Sequence, residues 1–310
     1  MWIRPHRLLI MASILMDVVV HVDAWPDRGG DRLARRGEVT PGGAFNLATA
    51  ARRLNFPVAY GGLVGSGPFG QVVQAALAHQ SVPLLTTPLA ADTGFDVAVV
   101  EKDGERSFIT APGAEARLSH ESVGAVSAMP TDAVYVSGYD LAYPQGGALA
   151  EWVAKLAPAS MVVLDPGPLV AEIPPERWRA VLARTDLLTL NRREAGLLVG
   201  PREPEVLLRL LKQATNPGTH LALREGAAGA YTLDAADHLV HVAAPRAEAV
   251  DTTGAGDVHT AVLVARLGAG RSWPQALYEA NVAASWSVAR EGPSASPDAG
   301  QLEQLLGSDR

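Results

Sequence analysis

The chain contains no cysteine. Disulfide staples, thiolate nucleophiles and cysteine-ligated zinc are therefore excluded, and the absence fits a cytoplasmic protein. Lysine is almost missing too: Lys102, Lys155 and Lys212 follow Glu101, Ala154 and Leu211, never the glycine that a Walker A phosphate loop requires. An ordinary P-loop site is ruled out. With a net charge of −7 and no basic run, neither nucleic acid nor an anionic membrane is an expected partner. No apolar stretch approaches the ~20 residues of a membrane span. Leu8–Met16, preceded by Arg4 and Arg7, is cut by Asp17 after nine residues and continues as VVVHVDAW. It reads as a buried first strand and not as a secretory leader.

What is present is enough for one large core. The 310 residues are 48% hydrophobic, within reach of a single α/β domain. From Ala133 the chain alternates strand and helix: Ala133–Ser137, Pro144–Ala157, Met161–Asp165, Pro175–Arg184, Leu187–Leu190 and, as a last helix, Ala276–Val288. That rhythm predicts a parallel sheet covered on both faces. Leu8–Ile14 reads as a central strand with Asp17 at its carboxyl end, where open α/β sheets bind ligands.

The chain is organised around Val250–Gly270, VDTTGAGDVHTAVLVARLGAG. Gly254 and Gly256 allow successive amides to point into one concavity, which suits an anion. A helix follows from Asp257, with Val258, Ala261, Val262 and Ala265 on one side. Its N-terminus carries about +0.5 charge and unpaired donors. A carboxylate is a poor choice there for binding phosphate alone, but it suits a base that takes a proton from an attacking hydroxyl. Read in isolation, Asp257 could equally be an ordinary first-turn acid.

Three elements in order decide between these. DTTGAGD at Asp251–Asp257, the GG-x-x-N of Gly42, Gly43 and Asn46 before a helix, and the N-x-x-E of Asn191 and Glu194 after a strand together resemble the ribokinase-like (PfkB) carbohydrate kinases. The resemblance spans most of the chain. It implies a three-layer α/β sandwich with a mostly parallel central sheet and a small β lid. Residues 1–310 would form one domain, with the lid built from two insertions at about 17–41 and 93–113. It also implies an ATP- and Mg²⁺-dependent kinase that phosphorylates a hydroxymethyl group of a sugar or sugar-like acceptor.

Roles carry over residue by residue. Asp257 would be the base, and the amides of Gly254, Ala255 and Gly256 the anion hole. Asp17, Gly42, Gly43 and Asn46 would hold the acceptor, Asn46 with both donor and acceptor groups. Nucleotide would meet Asn191, Arg224, Gly226, Gly229, Thr253, Gly254, Gly256, Asn281 and Ala284. Asn191 and Glu194 would organise Mg²⁺ largely through water, as a reluctantly dehydrating cation requires; they also read as an N-cap with its Glu at N3. Asp251 and Thr253, with carbonyls near Ser287, Arg290, Gly292 and Ser296, resemble a monovalent-cation site for K⁺. Two lid segments with open strand edges would favour a homodimer. Within the second, Asp103-Gly104 signals a hairpin turn.

The sequence also departs from the pattern. Arg224 stands where the family usually has Thr, and its planar donor fork would suit either phosphate or a salt bridge. Asp165-Pro166 continues as Gly167-Pro168-Leu169, whereas many fructokinase and ketodeoxygluconate kinase relatives continue with Asn-x-Arg. That weakens both acceptors. A nucleoside is the rival acceptor, with Phe45, Phe95 or Phe108 as a base slot. A catalytically silent sugar-binding protein on the same fold is the rival of another class: loss of the Thr favours it, and retained Asp257 opposes it. Gly65, Gly67 and Gly70 with Asp92 form a dinucleotide fingerprint, but nothing nearby resembles a hydride-transfer site, so the turn reads as architecture.

Overall fold

The computed structural model describes residues 4–102 and 106–308. The hairpin turn expected at Asp103-Gly104 lies outside them. Strands β1 (Arg7–Ile10), β4 (Val58–Tyr60), β7 (Asp132–Ser137), β8 (Met161–Asp165), β9 (Leu187–Asn191), β10 (His220–Arg224), β11 (Ala230–Leu233) and β12 (Leu239–Val242) form the large sheet. Its order is β12-β11-β10-β9-β8-β7-β1-β4. Every pair from β10 to β4 is parallel, and β11 and β12 add an antiparallel edge. A separate sheet has the order β3-β2-β5-β6, from β2 (Met16–His21), β3 (Arg36–Pro41), β5 (Phe95–Val100) and β6 (Arg106–Ala111).

Alternation along the strands builds two cores. Leu8 and Ile10 face the helices Ala44–Arg53, Ala255–Gly268 and Trp273–Val288, while Leu9 faces the opposite layer with Val134, Val136 and Leu164. Leu8, Leu9 and Ile10 are fully buried, so each contributes about 1.5–3 kcal/mol of transfer free energy. Near-continuous apolar strands of this kind are what a sheet covered on both faces demands.

Two expectations shift. The first strand ends at Ile10, not Ile14. Beyond it, Asp140 accepts from the backbone N–H and hydroxyl of Ser13, and Ile14 N–H donates to the Tyr60 hydroxyl, so the still-apolar chain leaves the sheet to enter β2. Asp17 therefore lies on the small sheet rather than at the tip of β1. At the other end the predicted last helix begins at Trp273, behind a Ser272–Gln275 capping box, and a further helix, Ala299–Ser308, follows it.

The small sheet joins the body through tight roots. Gly42 N–H donates to Leu15 O at 2.8 Å. The buried carboxylate of Glu115 accepts from Gly94 N–H at 2.8 Å and Gly113 N–H at 2.7 Å, closing the base of the second insertion. The dinucleotide-like turn has an equally local explanation. Asp92 accepts from the amides of Phe69, Gly70 and Thr93, so it caps the helix Pro68–His79 and ties it to the root of β5.

Candidate active site

A cavity of about 690 Å³ lies between the small sheet and the carboxyl ends of the large-sheet strands. Asp257 lines it, in the first turn of Ala255–Gly268. Gly254 precedes that helix at φ 74°, and a Cβ there would fall 2.0 Å from Pro293 O, so only glycine makes this entry. The amides of Gly256 and Asp257 belong to the first helical turn, which has no intrahelical acceptors for them. Their N–H groups are left for an acceptor outside the helix.

The Asp257 carboxyl is pushed up to about 7, by burial first and by Asp165 second; the Arg224 charge and a hydrogen bond from Asn46 oppose the shift. Asn46 is itself buried, and its Oδ1 accepts from Ser294 Oγ at 2.8 Å. It is therefore held between the helix Ala44–Arg53 and the segment after Val288. Gly43 leads into that helix, and Ala44 N–H donates to Ser13 O at 3.0 Å. Gly42 is required for another reason: a Cβ there would lie 1.9 Å from Asp17 Oδ1.

Asp17 is buried, and its carboxyl is pushed up to about 8 by burial, then by Asp96 and Asp257. Asp96, its neighbour in register on β5, is raised to about 6 by burial. Arg224 ends β10 on the cavity floor. Its Nη1 lies 3.0 Å from Asp165 Oδ2 and donates to Gly256 O at 3.2 Å, and its Nη2 lies 3.6 Å from Glu194 Oε2. Gly226, Gly229, Pro245, Asn281 and Ala284 also line the cavity. There His259 faces Asn281 Oδ1 at 3.2 Å and is held down to about 3 by burial and then by the Arg224 charge, which keeps its imidazole neutral.

The profile for pfkB family carbohydrate kinases matches residues 6–299. The chain belongs to that family. It is 28% identical over 300 residues to the uncharacterized sugar kinase YegV of Escherichia coli strain K12, covering 95% of this chain and 92% of that one. It is 27% identical to a ribokinase of Haemophilus influenzae over 298 residues, covering 93% and 94%. Among solved structures, ribokinase from Giardia lamblia superposes with a TM-score of 0.83 at 20% identity, over 98% of this chain and 100% of that one. Arabidopsis thaliana ribokinase complexed with ribose and ATP gives 0.77 at 24%, over 98% and 99%. These likenesses establish the ribokinase fold.

In this pfkB-family kinase the cavity gathers most of the residues singled out in the sequence. Asp17, Gly43, Asn46, Asn191, Glu194, Arg224, Gly226, Gly229, Thr253–Asp257, Asn281 and Ala284 all line it. Asn191 and Glu194 form a reciprocal capping box: Glu194 N–H donates to Asn191 Oδ1 at 2.9 Å and Asn191 N–H donates to Glu194 Oε2 at 2.8 Å, while Asn191 Nδ2 also donates to Glu194 Oε1 at 2.8 Å. Both side chains are committed to each other, which suits an Mg²⁺ reached through water and not a directly ligated one. Asp251 bridges the 251–257 turn to the following segment, accepting from Thr253 N–H at 2.9 Å and Gly292 N–H at 3.2 Å. Ser287 Oγ donates to Ala295 O, Arg290 stacks over Trp286, and Ser296 O accepts from the Arg53 guanidinium. A cation at Ser296 O would have to share that carbonyl with Arg53.

The phenylalanines separate. Phe45 is packed in the core, Phe95 meets Phe69 edge-on, and Phe108 alone of the three lines the cavity. Four contributors were not singled out in the sequence: Asp96, Asp140, His259 and Asp165 as the partner of Arg224. Among the described residues no helix is long and apolar enough to cross a membrane.

Proposed function

We propose that this protein transfers the γ-phosphate of ATP to a hydroxymethyl group of a sugar, with Asp257 as the base. The observation that carries the reading is Asp257 itself: a half-buried carboxyl raised to about 7, beside first-turn amides at the entry Gly254 makes. A general base works best when its pKa lies near the operating pH. Asn46 orients the carboxyl that takes the hydroxyl proton, while the amides of Gly254–Asp257 receive the negative charge of the phosphoryl group in flight. Asp17 and Asn46 hold the acceptor's other hydroxyls. Mg²⁺ bound to the phosphates supplies charge neutralisation that lysines provide elsewhere, and Asn191 and Glu194 would hold its water shell. Gly226, Gly229, Asn281 and Ala284 receive the nucleotide.

We also infer a homodimer through the small sheet, which would act as a lid. Val39, Val18, Val97 and Ile109 pair in register across its four strands. Val39 is 56% and Ile109 62% exposed, an apolar row that a second copy would cover. Phosphoryl transfer from ATP, followed by coupled ADP release over a panel of pentoses, hexoses and nucleosides, tests the activity. Strong turnover of a nucleoside in preference to every free sugar would move the reading to the nucleoside branch, where Phe108 would face the base. A folded, sugar-binding protein with no turnover at all would identify it as catalytically silent.

A further inference from the structure

Asp17 and Asp96 meet only because β2 and β5, distant in sequence, run parallel side by side. Same-register residues on neighbouring strands point to the same face, and here that face is the cavity wall: both line it, together with Thr110, the partner of Asp96 on β6. Asp17 is 8% exposed, and its carboxyl accepts no hydrogen bond among the described residues. Asp96 Oδ1 is buried without a hydrogen-bond partner among them. A buried polar atom left unpaired is destabilising unless something else satisfies it, so two adjacent carboxyls aimed into one cavity point to a ligand that donates to both.

The charge around them restricts that ligand. Asp257 is near enough to raise Asp17 further. Arg224 is the one arginine or lysine among the described residues lining the cavity, and it is held by Asp165 and Glu194. The neighbouring His259 stays neutral. An anionic group on the acceptor would find acids there and no available cation.

Resting on the kinase reading above, we propose that Asp96 is a second acceptor-reading residue, which with Asp17 selects an uncharged, hydroxyl-rich acceptor and excludes sugars that already carry phosphate or carboxylate. Two hydroxyls of the acceptor donate to Asp17 and two more positions on the same molecule reach Asp96 and Thr110. The side chain of Asp96 thus distinguishes a free sugar from its phosphorylated or oxidised counterpart.

The test is calorimetric titration of the full chain, with Mg²⁺ and a non-hydrolysable ATP analogue present, against D-ribose, D-fructose, D-ribose 5-phosphate and D-gluconate. Wild type should bind at least one of the two free sugars, and neither anion measurably. Asp96→Asn, which keeps the shape, should weaken that sugar by roughly ten- to a hundred-fold, the range of a charge-assisted hydrogen bond, while leaving affinity for the ATP analogue unchanged. Asp96→Ser serves as a second variant should the first misfold. Unchanged sugar affinity in a folded variant, tighter binding of ribose 5-phosphate or gluconate by wild type, or no binding of either free sugar would each overturn the proposal. Asp96-dependent binding without any phosphoryl transfer would leave it standing and sink the kinase reading instead.

Discussion

Arg224 is clamped on the cavity floor, its guanidinium 3.0 Å from Asp165 and 3.6 Å from Glu194, with its Nη1 donating to the Gly256 carbonyl. One cation thereby joins the ends of β8 and β10, the Asn191 capping box and the turn that carries Asp257. Removing it leaves two buried carboxylates facing each other. Arg224→Ala should therefore destabilise the fold by about 3–5 kcal/mol in urea denaturation, and Asp165→Asn in the same chain should recover much of the loss. The same variant should raise KM for ATP, since Nη1 no longer holds the Gly256 carbonyl and with it the turn proposed to face the phosphates. Lost stability with an unaltered KM would assign Arg224 to structure alone.

Asp257→Asn keeps the shape and the Asn46 contact but cannot take a proton. Turnover should fall by about 10²–10⁴, with binding of nucleotide and acceptor nearly unchanged by calorimetry. In wild type, kcat/KM should rise with pH through about 7, because the base is active only when ionised and its carboxyl is raised to that value. The ionisation should be absent from the residual activity of the variant.

Asp17 gives a pH-dependent stability signature. Its folded value, about 8, lies above the ordinary 3.8, so between about 4 and 8 the folded protein holds a proton the unfolded chain releases. Stability from this group is full below pH 4 and is lost as pH rises through 8. Asp17→Asn should match wild type near pH 4 and melt at a higher temperature near pH 8. Asp17→Ala should also lower kcat/KM for the acceptor about ten- to a hundred-fold while KM for ATP barely moves. Identical pH profiles of melting in wild type and Asp17→Asn would remove the buried charge from the account.

Asp140 is a positioning residue. It accepts from Ser13 Oγ at 2.6 Å, Ser13 N–H at 3.1 Å and Ser137 Oγ at 2.7 Å, fixing the segment whose Ser13 carbonyl receives Ala44 N–H. Asp140→Ala leaves those donors unsatisfied, at about 1–3 kcal/mol. KM for the acceptor should rise more than KM for ATP, and Asp140→Asn should restore part of it. Equal shifts in both constants would mean a general loss of order.

Substitution of Val39 and Ile109 by Asp and Lys should yield monomers in sedimentation velocity if the small sheet is the dimer interface. A wild-type chain that sediments as a monomer at micromolar concentration would dispose of that interface directly.

What could be read before the structure was what is local. Gly254 and Asp257 share one turn, Asn46 lies in the first turn of its helix, and Asn191 with Glu194 make a four-residue cap, so spacing alone places each set. Asp96 was missed because its significance depends on the pairing of β2 with β5. The available signal was an acidic residue at the head of the otherwise apolar strand Phe95–Val100. Asp140 escaped for the same reason: it sits in a short helix at the carboxyl end of β7, and its partner Ser13 is remote in sequence. The end of β1 was misplaced because apolarity continues from Met11 to Met16, although the backbone there is turned aside by Asp140 and Tyr60. Hydrophobicity marks burial, not membership of a strand.

Glu115 has a practical consequence for protein engineering. Because one buried carboxylate fastens Gly94 and Gly113 together, the chain between them is a stapled excursion whose ends stay in place whatever its far tip contains. Loop-closure entropy grows only slowly with length, so a reporter peptide or affinity tag spliced between β5 and β6 should leave the eight-stranded sheet intact. The same graft in a Glu115→Ala background would have no such anchor, which makes this glutamate the residue to preserve in any redesign of the insertion.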